Sequence, residues 1–276
     1  MSSSAKPISQ RMFSWLWRKP WFRREVYNLM GLCFRKKMGW KMMNCGLVPS
    51  EPILKNNEVN AGEQHSYELY AQLVASTPLQ DRDVLELGSG RGGGACFLLE
   101  NQAPRRLVAL DYTPGTIRWC RRNFSRPGLE FVCGDAANPP FAEASFDVIV
   151  AVELTHCIID KVAFLAAIAR ILRPGGRLLI ADFFYLRPDV MHALGKFESA
   201  VESSNFKTIA MDDWTAGASA AIEADSERRK ADIQQSVPGF LRELSIQFAS
   251  TTHSSTYVAM QAGRTVYRRY VLELPD

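Results

Sequence analysis

The run Asp83-Val84-Leu85-Glu86-Leu87-Gly88-Ser89-Gly90-Arg91-Gly92 decides the fold. Val84–Leu87 reads as a short buried strand, and the glycines after it let the backbone come close to a ligand. A helix opening at Gly92 presents free N–H groups to that ligand. In open α/β sheets, ligands bind outside the carboxyl ends of the strands, where this loop lies.

Outward from the loop the chain alternates between strand and helix. Gly92–Glu100 reads as a helix and Leu107–Leu110 as a second strand, closed by Asp111. A helix from Pro114 reaches Arg122, and Leu129–Cys133 is a third strand, closed by Gly134-Asp135. Phe146–Val152 is a continuously apolar fourth strand. Val162–Leu172 is a helix with Val162, Leu165, Ile168, Ile171 and Leu172 inward. Pro174-Gly175-Gly176 stops it, and Leu178–Ala181 is a fifth strand ending at Asp182. Such alternation predicts a mostly parallel, doubly wound α/β sheet, Rossmann-like in kind. Residues 61–185 are expected to form this core, 186–250 a helical substrate cap, and 251–276 a strand region completing the sheet. Residues 1–60 form a basic, aromatic arm or lid.

Gly88, Gly90 and Gly93 satisfy GxGxxG, which alone also fits a dinucleotide oxidoreductase. Glu86 separates the two readings. A carboxylate is unwelcome beside a pyrophosphate, whereas it suits the ammonium end of an amino acid. Asp111 can accept from both ribose hydroxyls, and Gly134-Asp135-Ala136 sets a carboxylate where an adenine amino group would lie. Three acids at three successive strand ends are far rarer than the glycines alone.

With these motifs in view, Asp83–Asp182 resembles the core of class I S-adenosylmethionine (SAM)-dependent methyltransferases. Glu86–Gly92 matches the first motif of that family, Asp111 its ribose acid, Gly134-Asp135-Ala136 its adenine-side motif, and Leu172-Arg173-Pro174-Gly175-Gly176 its turn before strand five. The resemblance implies SAM as cofactor, bound by Glu86, Gly88, Ser89, Gly90, Asp111, Tyr112, Gly134, Asp135, Ala136 and Val152. More narrowly, Gly92-Gly93-Gly94-Ala95, Val152-Glu153-Leu154-Thr155-His156-Cys157 and Ile180-Ala181-Asp182-Phe183 are similar to small-molecule enzymes. These include sugar O-methyltransferases, phthiotriol-type lipid O-methyltransferases and terpenoid C-methyltransferases.

Methyl transfer to a hydroxyl requires proximity and removal of a proton. His156 lies just past strand four and Asp182 ends strand five, which suits a base and its orienting carboxylate. Glu153 is a third catalytic candidate that can instead brace the loop. His65, His192 and His253 are isolated in sequence and read as structural or exposed. No metal-ligand spacing is present, so no metal is expected. Phe183, Phe184, Tyr185 and Phe197 suggest a lipophilic acceptor pocket, or else the core between cap and sheet. An oxygen acceptor is favoured over carbon or nitrogen. The alternative is a SAM-binding enzyme of this fold that couples or replaces methylation with cyclisation of a terpenoid or polyketide.

Composition sets the outer bounds. Hydrophobic residues make up 47% and charged ones 22% of 276 residues, ordinary for a globular protein. The six cysteines show no CxxC or disulfide ladder, which suits a reducing, cytoplasmic setting. Residues 1–45 hold ten Lys or Arg against Glu25, a local +9 that leaves −5 for the remainder of a chain of net +4. Interleaved Trp and Phe make this arm a lid, a peripheral membrane-surface helix or a transit peptide. The acidic body and lack of recognition motifs argue against nucleic acid. A homo-oligomer is compatible with the arm and not required by it.

Overall fold

The computed structural model describes Glu25, residues 40–54 and residues 61–276. The lid, membrane and transit-peptide readings of the arm fall mostly outside these residues.

The core is a seven-stranded sheet of order β3-β2-β1-β4-β5-β7-β6. Its strands are β1 (Asp83–Leu87), β2 (Arg106–Asp111), β3 (Leu129–Cys133), β4 (Phe146–Val152), β5 (Leu172–Tyr185), β6 (Lys207–Asp213) and β7 (Thr265–Glu273). β7 runs antiparallel to both β5 and β6, and the other neighbouring pairs are parallel. Every residue of β1 is buried, because helices cover both faces of the sheet.

Alternate residues of β1 go to opposite faces. Val84 joins the cluster of α1 (Gln64–Val74), α2 (Gly93–Gln102) and α3 (Pro114–Asn123). Leu85 and Leu87 join the cluster of α4 (Lys161–Ile171) and α5 (Leu194–Glu202). The helix α4 starts where Asp160 Oδ1 accepts from Ala163 N at 2.9 Å, a side-chain cap on an orphan donor. Its inward face is Phe164, Leu165, Ile168 and Ile171, whereas Val162, expected inward, is exposed.

Two expectations change beyond the fifth strand. β5 starts at Leu172 and runs on past Asp182 to Tyr185. Pairing with β4 jumps from Phe146↔Leu172 to Val148↔Arg177, so Pro174-Gly175-Gly176 forms an irregularity within a strand instead of a turn before one. Residues 186–250, expected to be mostly helical, contain β6, which pairs with β7 at the edge of the sheet. Helical structure there is α5, the 22-residue α6 (Thr215–Ser236) and α7 (Gly239–Phe248), followed by α8 (Ser255–Gln261). Among the described residues, no helix is long and apolar enough to cross a membrane.

Candidate active site at the sheet switch point

Strand order reverses between β1 and β4, which opens a crevice at their carboxyl ends. The loops after β1 and β4 meet there: a Cβ on Gly88 would stand 3.0 Å from Leu154 Cδ1. Gly88, Gly90 and Gly92 all take positive φ, so the turn is closed to most other residues. Gly88 N and Ser89 N both donate to Leu110 O, at 2.8 and 3.0 Å, tying the loop to β2.

The strand-end acids differ in placement. Asp111 is half-buried; its Oδ2 accepts from Gly90 N at 3.0 Å and its Oδ1 from Thr113 N at 2.8 Å. Burial raises its carboxyl, and the N–H groups of Thr113 and Gly90 oppose the rise. Tyr112 beside it is exposed. Asp135 is exposed and accepts from Ala137 N at 2.8 Å, with Gly134 before it and the buried Ala136 after it. Val152 closes β4 and is buried.

Glu86 lies deeper than its place in the sequence suggested. It is 1% exposed and sits beneath the start of α2, where a Cβ on Gly94 would come within 2.2 Å of its Oε1. Tyr70 Oη donates to Oε1 at 2.6 Å, while Oε2 is buried with no hydrogen-bond partner. Burial pushes the carboxyl up to about 8, with Tyr70 opposing and Asp111 reinforcing the rise. Ser89 Oγ is likewise buried and without a partner.

On the β4–β5 side, His156 and Asp182 are in contact. His156 Nδ1 lies 3.0 Å from Asp182 Oδ1, and the carboxylate is fully buried. Asp182 also accepts from His156 N, Thr155 Oγ1 and Phe183 N at 3.0, 2.7 and 2.8 Å. Burial works against its ionised form, but the His156 imidazole outweighs it and holds Asp182 below the ordinary carboxylate range. Burial also pulls His156 down, yet the Cys157 sulfur and the Asp182 carboxylate together hold it well above the ordinary histidine range. Phe183 stacks on the His156 ring, centroids 4.5 Å apart.

Glu153 has a bracing geometry. It adopts φ 48°, and its Oε1 accepts from Cys45 N at 2.7 Å and from Tyr267 Oη at 3.2 Å. Burial raises its carboxyl. The Cys45 bond belongs to a strap, residues 40–48, that crosses the glycine loop. Lys41 N and Met42 N both donate to Glu63 Oε1 at 2.7 Å, and a Cβ on Gly93 would meet Lys41 O at 2.4 Å. Val48 N donates to Gly217 O on α6 at 3.1 Å, and Arg229 Nη2 donates to Asn44 O at 3.1 Å.

The sequence reading missed Tyr70, Cys45, Tyr267 and His192. Tyr70 carried a signal, since it lies on the apolar face of α1, but nothing in it announced a carboxylate partner 16 residues on. His192, read as isolated, is buried beside His156, ring centroids 5.9 Å apart. Phe184 and Phe197 are fully buried and pack with Tyr270 in the core, so of the four cap aromatics Phe183 is the one that meets His156.

Residues 85–180 match a family model described as a methyltransferase domain. The phthiotriol/phenolphthiotriol dimycocerosates methyltransferase of Mycobacterium leprae (strain TN) is 33% identical over 202 residues, 73% of each chain. A fatty-acid O-methyltransferase of Mycolicibacterium smegmatis is 29% identical over 224 residues, 81% of this chain and 78% of that one. Among solved structures, geranyl diphosphate methyltransferase in complex with SAM superposes with TM-score 0.62 at 12% identity, covering 86% of this chain and 100% of that one.

Proposed function

This chain belongs to the family of SAM-dependent methyltransferases, with SAM as its cofactor, and we propose that it methylates an oxygen of a small lipophilic acceptor. The observation that carries the oxygen reading is the His156–Asp182 pair at the carboxyl ends of β4 and β5, next to the switch point. The names of the two curated relatives, a dimycocerosate and a fatty-acid methyltransferase, support a lipid-like acceptor.

The chain's own groups fit the cofactor. Glu86 Oε2 and Ser89 Oγ are buried polar atoms without partners beside the glycine loop, a costly arrangement that a polar ligand relieves. In this reading Gly88, Ser89 and Gly90 cradle the methionine end, and Glu86 balances its ammonium from beneath. Asp111 holds the ribose hydroxyls and Tyr112 lies along the adenosine. Gly134, Asp135 and Ala136 border the adenine, and Val152 packs against the ligand from β4. Bound SAM supplies an electrophilic methyl group for in-line displacement. Asp182 holds His156 with Nδ1–H toward itself, which leaves Nε2 to take the proton of the acceptor hydroxyl. Glu153 is a positioning residue that fixes the strap through Cys45. Phe183 and the exposed Met43 offer apolar contact to the acceptor.

A long-chain fatty acid and a long-chain secondary alcohol, each incubated with SAM, test this reading by product mass. Gain of one methylene unit is expected; a product of unchanged mass would favour cyclisation instead. With the alcohol, His156→Ala should lower kcat by roughly 100-fold or more while SAM affinity stays within about twofold. The base must be neutral and its proton is held tightly, so kcat/KM should climb with pH above the ordinary histidine range. Asp182, Cys157, Glu153 and His192 all face this imidazole. Removing the nearest charge with Asp182→Asn should move the acid limb of the profile to lower pH. An unmoved limb would remove His156 as the base.

A further inference from the structure

Asp182 receives four donors, two on each oxygen. That leaves nothing for His192, whose ring lies next to the pair. His192 is 4% exposed, and both of its ring nitrogens are buried without a hydrogen-bond partner. The ring stacks on Phe184 at 4.5 Å and meets His156 nearly edge-on, 5.9 Å away at 65°. Its backbone is fixed, since Tyr185 N donates to His192 O at 3.0 Å and α5 begins two residues later. The charged groups that bear on it are Asp182, His156 and Lys161. The Lys161 ammonium is engaged by the carbonyls of Thr155 and Ile158. Burial, with His156 and Lys161 adding to it, outweighs the opposing pull of Asp182 and of the Phe183 backbone and brings His192 down to about 3, so the ring is neutral. A neutral imidazole carries one N–H donor and one bare acceptor. Leaving both unmet inside a protein is costly, and a phenylalanine would give the same stack on Phe184 without that cost. Two neighbouring imidazoles whose environments push their proton affinities apart are a pattern of acid–base sites.

We propose that His192 is a second acceptor-binding residue, whose N–H donates to the same oxygen whose proton His156 accepts. The inference rests on the oxygen-transfer reading above and names the group that orients the nucleophile. A hydroxyl has one O–H and two lone pairs. With the O–H given to His156 Nε2 and one lone pair to His192, the remaining lone pair is free for the methyl carbon. As the new O–C bond forms, the C–S bond breaks with its electron pair to sulfur. The hydroxyl proton ends on His156, and His192 keeps its own proton throughout. A carbon acceptor has no lone pair for His192, so the two rings together select alcohols and phenols.

The test uses the full chain with SAM and a long-chain secondary alcohol as probe. His192→Phe keeps the ring volume and the stack on Phe184, and His192→Asn restores an N–H donor. The expected result for His192→Phe is a roughly 10- to 100-fold fall in kcat/KM for the alcohol. SAM affinity should be unchanged and Tm equal to or above that of the wild type, since the unpaired ring nitrogens are gone, with partial recovery of kcat/KM in His192→Asn. Wild-type kcat/KM in His192→Phe, or a loss matched by loss of SAM affinity, would overturn the proposal. A second measurement separates it from the reading beneath it. In protein loaded with S-adenosylhomocysteine, added alcohol should shift the His192 imidazole nitrogen resonances. A shift without methyl transfer in the SAM assay retains the binding role and retires oxygen transfer. Absence of a shift overturns the binding role whether or not the methyl is transferred.

Discussion

Glu86 combines two properties that pull against each other: it is a carboxyl group buried under a helix start, and it stands just before a loop suited to a cationic ligand. Its folded-state value of about 8 lies above the ordinary 4.5. The ligand-free fold therefore keeps a proton that the unfolded chain gives up. The stability this contributes is present below about pH 4.5 and is lost as pH rises toward 8. Glu86→Gln removes the titration and keeps the shape. Thermal melts of the free protein should show Glu86→Gln gaining on the wild type from pH 5 to 8, by on the order of 2–4 kcal/mol at the upper end. The same variant should bind SAM more weakly, because the charge beneath the ammonium is gone. Equal or tighter SAM binding by calorimetry would remove Glu86 from the cofactor site. The identity of this residue was legible from its place before the glycines. Its depth was not, since it depends on Tyr70 arriving from α1.

At the scale of elements, the strands and helices from Asp83 to Asp182 followed from apolar runs and strand-end acids. Local pattern governs there, because β1, β2 and β4 are buried on both faces, and β3 at the edge is still marked by its apolar run. Beyond Asp182 the pattern gave less. β6 exposes most of its side chains, including Ile209 and Met211, and so carries no apolar run to mark it as a strand. The strap over the glycine loop was equally silent. Residues 40–48 form no regular element, and their place is set by Glu63, Glu153, Gly217 and Arg229, all distant in sequence. If the strap closes the cofactor site, cutting one of its anchors must show in ligand retention. Glu153→Ala leaves Cys45 N without its acceptor and retains the positive φ that favours glycine. A charge-assisted bond of this kind contributes about 1.5–3 kcal/mol, so SAM should bind roughly tenfold more weakly or worse. Faster release of S-adenosylhomocysteine in stopped flow is expected alongside. Glu153→Gly should relieve the backbone yet show the same loss; unchanged release in both would make the strap mere packing.

For the whole molecule, the proposed site draws residues from five strand ends, the strap and the segment before α5. Ligand binding therefore ties both core clusters to the folded state. At 100 times its Kd, S-adenosylhomocysteine should add about 2.7 kcal/mol of stability. For a chain of this size that is a rise of roughly 5–10 °C in Tm by calorimetry. NADH at the same concentration should leave Tm in place. The opposite pattern would restore the dinucleotide reading that GxGxxG alone permits.

The sequence by itself determined the sheet core, the position of its ligand loop and the class of cofactor. Those depend on short-range regularities: apolar strands, glycines that permit a tight turn, and acids set at or close to strand ends. Tertiary structure alone decided which side chains meet around the His156–Asp182 pair and the buried glutamates. His192 stands 36 positions from His156, Tyr70 stands 16 from Glu86, and Cys45 stands 108 from Glu153. No periodicity links such residues. They meet because strand order reverses at β1 and β4, and because buried polar atoms accept only partners that the folded chain carries to them.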